Sequence, residues 1–138
     1  ISSEIMSNFS VDACTDVTGF GLLGHLHNIL EASGVSAKIS FSNVPTFEGI
    51  LSHAISGTAG GGERNREWTR SFVSYSEKLD QNMIAVLNDA QTSGGLIIAV
   101  EPSKSEEMLQ KLILAGSSFS AIIGEVIEGE ERKIIIDL

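Results

Sequence analysis

An α+β fold is what the 138 residues predict, and three observations predict it. Strand-like and helix-like stretches alternate along the chain, and no repeat or low-complexity linker divides it. The last two strand-like stretches also read as a hairpin, which requires antiparallel pairing. With 42% hydrophobic residues there is enough Ile, Leu and Val to offset the entropy cost of ordering. One packed core and one domain over residues 1–138 are therefore expected.

The stretch Ser2 to Phe9 reads as the end of a helix with no beginning, and the chain starts with Ile, so a fragment of a longer protein is expected. Val11 to Asp16 follows as a short buried strand leading into glycines. Leu22, Leu26, Ile29 and Leu30 then share one face at helical spacing, with Gly34 as the stop. Ser36 to Phe41 alternates Ala37, Ile39 and Phe41 with Ser36, Lys38 and Ser40, the mark of a half-exposed strand. After Pro45, the positions Phe47, Ile50, Leu51, Ala54 and Ile55 predict a helix ending at Gly57. Thr58 to Arg70 is polar and contains Gly60-Gly61-Gly62, which predicts a long loop. Met83 to Leu87 is apolar but too short to assign, and Leu96 to Val100 reads as a buried strand. Pro102 starts a helix to about Leu114 that Gly116 closes. Strands from Ser120 to Ile127 and from Arg132 to Asp137 would form the hairpin, with Glu128 to Glu131 as its solvated tip.

Eighteen acidic against nine basic residues give a net charge of −9, so nucleic acid and anionic membrane surfaces are not expected partners. Arg64, Arg66 and Arg70 gather a third of the basic residues within seven positions and could face an anion. The single Cys14 excludes an internal disulfide and suits a reducing cytoplasm. The longest aliphatic run, Leu96 to Val100, is far too short to span a bilayer, and the first ten residues lack the regions of a signal peptide.

The densest chemistry lies in Ala13 to Leu26, where a carboxylate, two hydroxyls and three glycines meet at a strand-to-helix junction. Asp16 taken alone is a helix-cap or Asx-turn candidate. Set before a helix N-terminus with its free N–H donors, it could instead hold a cation against a polyphosphate. Thr18, Gly19, Phe20 and Gly21 make the turn, whose glycines serve either tight packing or close approach of a ligand. His25 and His27 are two apart, so they project about 160° from each other on a helix and cannot share a metal. A histidine at the core edge making one hydrogen bond is the expected role of each. Asp12 and Asp16 should raise the Cys14 thiol pKa rather than activate it. In Gly60-Gly61-Gly62-Glu63-Arg64-Asn65, glycine amides followed by Arg64 and Asn65 suit phosphate-type oxygens, although an ordinary long loop reads the same way.

Three of these segments resemble one family. The ten residues Asp16 to His25 match the D-[VI]-T-G-F-G-[LI]-L-G-H string that begins the C-terminal half of selenophosphate synthetase (selenide, water dikinase). Gly60 to Asn65 is similar to its G-G-x-x-R-N loop, and Gln91-Thr92-Ser93-Gly94-Gly95-Leu96 to its Q-T-S-G-G-L signature. Ala90 stands where Pro is usual and Asp12 where His is common, departures that bear on loop shape more than on chemistry. The related aminoimidazole ribonucleotide synthetase typically reads T-G-G-G after the shared Asp, so Phe20 favours the selenium branch.

The resemblance implies a three-layer α/β/α sandwich with partly ferredoxin-like topology. It also implies ATP-dependent conversion of selenide and water to selenophosphate, AMP and phosphate, with Mg²⁺ and K⁺. Asp16 would be a metal ligand, and Thr18, Gly19, Phe20, Gly21, Arg64, Asn65, Thr92 and Ser93 would be phosphate or ligand contacts. The implied partners are the chain's own N-terminal half and, in the full-length enzyme, a second copy. The family's reactive Cys or selenocysteine and its essential Lys belong to an upstream glycine-rich loop with no counterpart in these residues. Two other readings stay open at this point: a non-catalytic anion-binding or docking module, and a purine-pathway relative of the same superfamily.

Overall fold

The computed structural model describes residues 2–57, 60–129 and 131–138. Thr58 of the expected loop, Glu130 of the expected hairpin tip and the Ile55 side chain lie outside the described residues. The elements run in the order α1 (Ser2–Met6), β1 (Val11–Asp16), α2 (Gly21–Ser33), β2 (Ser36–Ser40), α3 (Ile50–Gly57), α4 (Gly60–Thr69), β3 (Val73–Tyr75), α5 (Gln81–Asn88), β4 (Leu96–Val100), α6 (Pro102–Leu114), β5 (Gly124–Ile127) and β6 (Ile134–Asp137). A single 3₁₀ turn at Phe41–Asn43 follows β2. The mixed α+β class holds.

Local chemistry explains most boundaries. Gly34 ends α2 at φ 69°, with its N–H on the Leu30 carbonyl, a left-handed cap that glycine adopts without strain. The apolar piece that was too short to assign is the middle of α5, started by Asp80, whose carboxylate accepts from the Asn82 and Met83 amides. Pro102 sits in the first turn of α6, as its missing N–H favours. The helix expected from Phe47 begins at Ile50, and Phe47 stands exposed ahead of it.

Two expectations are corrected. Residues 60–69 form a helix, not a loop. Its inward positions, Gly62, Asn65 and Thr69, recur at helical spacing but are not apolar, so hydrophobic periodicity could not reveal it. The terminal hairpin also does not form. The four-stranded sheet has the order β3-β6-β2-β5, so β2 lies between the last two strands, antiparallel to β5 and parallel to β6. Ala37 and Ile39 make β2 a central strand, and Ser36 holds the connecting segment around its start. The Ser36 hydroxyl donates to the Gly129 carbonyl at 3.2 Å and accepts from the Lys133 amide at 3.1 Å. Antiparallel pairing therefore survives in β2–β5 and in β1–β4 rather than in a hairpin.

The core joins Leu23, Leu26 and Leu30 of α2 and Ile84 and Leu87 of α5 to Ala37, Ile39, Val73, Ile134 and Ile136 of the sheet. Helices α2, α4 and α5 pack against one another, and α3 packs on α5. The second sheet is a ribbon of β1 and β4 only, with α1 and α6 packed together elsewhere. Both ribbon strands, expected to be buried, alternate or stay half-exposed. That ribbon runs into the glycine turn.

Candidate functional site

Strand β1 places Asp12, Cys14 and Asp16 at alternate positions, all three exposed, as the period of two requires. Asp16 ends the strand opposite Leu96 of β4. Its carboxylate makes no hydrogen bond or ion pair among the described residues, and Phe20, not an acidic residue, precedes α2 with no side-chain cap. The capping alternative for Asp16 does not occur.

Beyond the strand, the ribbon hydrogen bonds continue into two of the three sequence motifs. The Val17 amide donates to the Gly95 carbonyl at 2.9 Å, and the Gly94 amide to the Val17 carbonyl at 3.1 Å. The Thr18 carbonyl then accepts from the Gln91 amide at 2.9 Å and the Gly21 amide at 3.1 Å. The third motif joins through Asn65, whose amide donates to the Gly19 carbonyl at 2.9 Å and the Asn88 carbonyl at 3.0 Å. Asp16, the turn, Asn65 and the segment Gln91 to Gly95 are thus gathered at one end of the ribbon.

The glycines divide by role. A Cβ at Gly21, where φ is +67°, would lie 2.8 Å from the Asn88 and Asp89 carbonyls, so this glycine is there for packing. Gly94 is equally closed, against Val17. At Gly19 a Cβ would meet nothing within 4 Å, which leaves that face of the turn open to a ligand.

His25 is buried, and its Nε2 accepts from the Thr18 hydroxyl at 3.0 Å and from the Phe20 amide at 3.4 Å. The backbone donor fixes the ring proton on Nδ1. His27 points the other way and stacks on Phe72, with ring centroids 3.6 Å apart, while its Nδ1 has no hydrogen-bond partner. The two histidines thus take separate surroundings, as their spacing predicts. Between them, Trp68 of α4 meets Phe20, His27 and Phe72 edge-on or tilted.

Of the clustered arginines, Arg66 donates to Gln81 Oε1 and Arg70 pairs with Glu67 at 3.0 Å. Arg64 is exposed and makes neither kind of bond among the described residues. Thr92 and Ser93 are exposed beside Gly94. Partial burial first and the Asp16 carboxylate second push the Cys14 thiol above its ordinary value, which opposes a thiolate nucleophile although the residue is exposed rather than a buried packing residue. Among the described residues no group of three or more His, Cys, Asp and Glu is placed to hold a metal ion, and no helix is long and apolar enough to cross a membrane.

Sequence reading missed the buried centre of this region. Asn88 has no solvent exposure. Its side chain accepts from the Thr69 hydroxyl at 2.8 Å and donates to the Tyr75 hydroxyl at 3.0 Å and the Ile84 carbonyl at 2.8 Å. A lone Asn at the end of a short helix carries no sequence signal for such a hub.

Residues 2–137 match the family model described as AIR synthase related protein, C-terminal domain. The chain is 37% identical over 134 residues to the selenide, water dikinase of Pelobacter propionicus, covering 96% of this chain and 38% of that protein. It is 45% identical over 132 residues to the enzyme of the same name from Sulfurimonas denitrificans, covering 94% of this chain and 36% of that one. The chain thus spans under two fifths of the length of these curated relatives. Among solved structures, the HypE–HypF complex aligns over 97% of this chain and 35% of its own, with TM-score 0.67 and 20% identity. HypE from E. coli aligns over 98% of this chain and 34% of its own, with TM-score 0.60 and 25% identity. These two share the fold.

Proposed function

The chain belongs to the AIR synthase related protein C-terminal domain family, and from that premise we propose that it is the C-terminal domain of an ATP-dependent selenophosphate synthetase, with residues 1–138 acting as one unit beside an upstream half. The observation that carries the proposal is the gathering of three separated motifs around an exposed Asp16 whose carboxylate has no partner among the described residues. Its relatives' shared name, selenide, water dikinase, supplies the reaction class. Selenide, ATP and water would give selenophosphate, AMP and phosphate.

Mg²⁺ fits the donor set in a limited way. A hard cation of this kind takes one or two carboxylates plus substrate phosphates rather than an all-protein cage. The exposed Asp16 carboxylate beside an open glycine turn suits that sharing, whereas a cage of ligands would not match the described residues. When bound, the ion would neutralise charge on the transferring phosphoryl oxygens. Asp16 would hold it from this side, and the Gly19 amide and the start of α2 would face phosphate oxygens. Arg64, Thr92 and Ser93, exposed on the neighbouring segments, would supply further donors to the anion. The remaining carboxylates, the selenium-bearing loop, K⁺, the second copy of a homodimer and a cytoplasmic setting belong to the full-length reading.

The test is phosphorus NMR of ATP, Mg²⁺ and selenide with the full-length parent protein. Selenophosphate and AMP are expected from the unvaried enzyme. Asp16→Asn should lower their formation by roughly 10³-fold, the scale of several kcal/mol of lost charge stabilisation. Product from both at similar rates would remove Asp16 from the site. ATP consumption that selenide does not stimulate would overturn the synthetase reading in favour of a purine-pathway activity, and no ATP turnover at all would favour a docking module.

A further inference from the structure

We propose that Asn65 is a positioning residue, which together with His25 clamps the peptide unit between Gly19 and Phe20 and so presets the glycine turn. The inference rests on the reading of that turn as part of the synthetase site, and it assigns Asn65 a different task from the ligand contact that its motif suggests.

The two bonds at this peptide are on opposite ends of one plane. Its carbonyl, Gly19 O, accepts from Asn65 Nδ2 at 2.9 Å, and its N–H, on Phe20, donates to His25 Nε2 at 3.4 Å. The preceding peptide is held too, since its carbonyl, Thr18 O, takes the Gln91 and Gly21 amides. Rotating either plane would break two bonds. What remains unbonded is the Gly19 N–H, which makes no hydrogen bond among the described residues and belongs to the glycine whose missing side chain leaves open space. A backbone donor fixed before the ligand arrives needs no reorganisation when charge develops.

Asn65 has no donor to spare for a ligand. An amide nitrogen carries two N–H groups, and both are engaged, one by Gly19 O and one by Asn88 O at 3.0 Å. Asn65 as a residue is 7% exposed. Asn88 ends α5, so its carbonyl lacks an intrahelical donor, and Asn65 satisfies it. Asn88 is in turn fixed by Thr69, Tyr75 and Ile84, so the clamp is anchored on α4, α5 and β3 together. One residue earlier on α4, about 100° around the helix, Arg64 is exposed. The paired Arg-Asn of the motif therefore splits into an outward charge and an inward clamp.

The test uses the full-length parent with Asn65→Ala, Asn65→Ser and Asp16→Asn, reading the Gly19 carbonyl ¹³C and Phe20 amide ¹⁵N signals beside steady-state kinetics of selenophosphate formation. Asn65→Ala should move both signals and lower kcat on the order of 10²-fold, the penalty of a small misplacement, with KM for ATP within about threefold because no direct contact is lost. Asn65→Ser, whose hydroxyl can serve one of the two carbonyls, should fall between, and it takes the same measurements should Asn65→Ala not fold. Asp16→Asn should leave both signals in place, which separates the clamp from the metal site. Unmoved Gly19 and Phe20 signals would overturn the clamp, and moved signals with unchanged kcat would overturn its positioning role. If the unvaried parent makes no selenophosphate, the synthetase reading fails and the positioning role falls with it, while the signals still decide whether the clamp exists.

Discussion

In the four-stranded sheet, Ile134 and Ile136 of β6 have no solvent exposure and pair with Ala37 and Ile39 of β2 beneath the leucines of α2. In the β1–β4 ribbon, Asp12, Cys14 and Asp16 face outward, and Leu96 opposite Asp16 is 47% exposed. The first region is ordered by apolar contact. The second is ordered by directional bonds: two amides on Thr18 O, two carbonyls on Asn65, and a histidine on the turn. Hydrophobic burial is non-directional and tolerates small shifts, whereas hydrogen bonds fix the orientation of a particular peptide. A segment whose carboxylate stays exposed and whose turn is open at Gly19 cannot be ordered by burial alone, and polar clamps replace it.

The comparison can be broken most severely from the sheet side. Ile134→Ala would remove a fully buried side chain from the central strands and leave a cavity, at a cost of about 4 kcal/mol. Denaturant unfolding of the chain measures it. A loss no larger than that of a surface substitution would mean that the sheet is not where stability resides. Asp16→Asn supplies the matching control in the ribbon and should change stability by under about 0.5 kcal/mol, since it breaks no bond among the described residues.

A smaller effect is expected at the junction of the two regions. Gly21→Ala would put a Cβ 2.8 Å from the Asn88 and Asp89 carbonyls at a φ of +67°. Backbone strain and overpacking together should cost about 3 kcal/mol. Unlike Ile134→Ala, it should also disturb the amide signals of Thr18 to Phe20, read by NMR on the same sample. Equal disturbance by both variants would show that the turn is not an independently held unit.

The contrast between the regions also explains what could be read in the sequence. Helices α2 and α6 and strands β1, β2 and β4 were legible because apolar periodicity, a glycine stop or an N-terminal proline marked them. Helix α4 was not, because Gly62, Asn65 and Thr69 occupy its inward face, and β3 was too short to stand out. The hairpin failed as an inference because two strands adjacent in sequence give no sign that a third, Ser36–Ser40, will insert between them. At the candidate site, the glycine string and Asp16 were visible as a motif. The packing of Gly21 against Asn88 and Asp89, and the bond from Asn65 to Gly19, depend on neighbours more than 40 residues away. His25 came close, since the expected single hydrogen bond at the core edge became two bonds onto the turn.

The smallest expected effect concerns His27, which lies on the boundary and behaves like neither region. Its ring is stacked flat on Phe72 with Trp68 at its edge, and its Nδ1 has no acceptor. Desolvation is the main cause of a lowered pKa, with the Arg132 guanidinium acting in the same direction. The Glu31 carboxylate and the Arg132 backbone oppose them and do not prevail. The sign follows from the neutral ring being favoured in the folded state. The unfolded chain binds the proton more readily below the ordinary value of 6.5, so His27's contribution is intact above that pH and is lost as pH falls through the depressed folded value. His27→Phe keeps a ring on Phe72 and removes the titration. Thermal unfolding from about pH 7.5 down to about 5.5 should therefore show a shallower decline for the variant than for the unvaried chain, the two curves separating only below pH 6.5. Parallel decline would mean that His27 binds its proton equally in the folded and unfolded chain, and a steeper decline for the variant would mean that the folded state stabilises the imidazolium over the Phe72 face, so that the aromatic cluster tolerates charge as the exposed ribbon does.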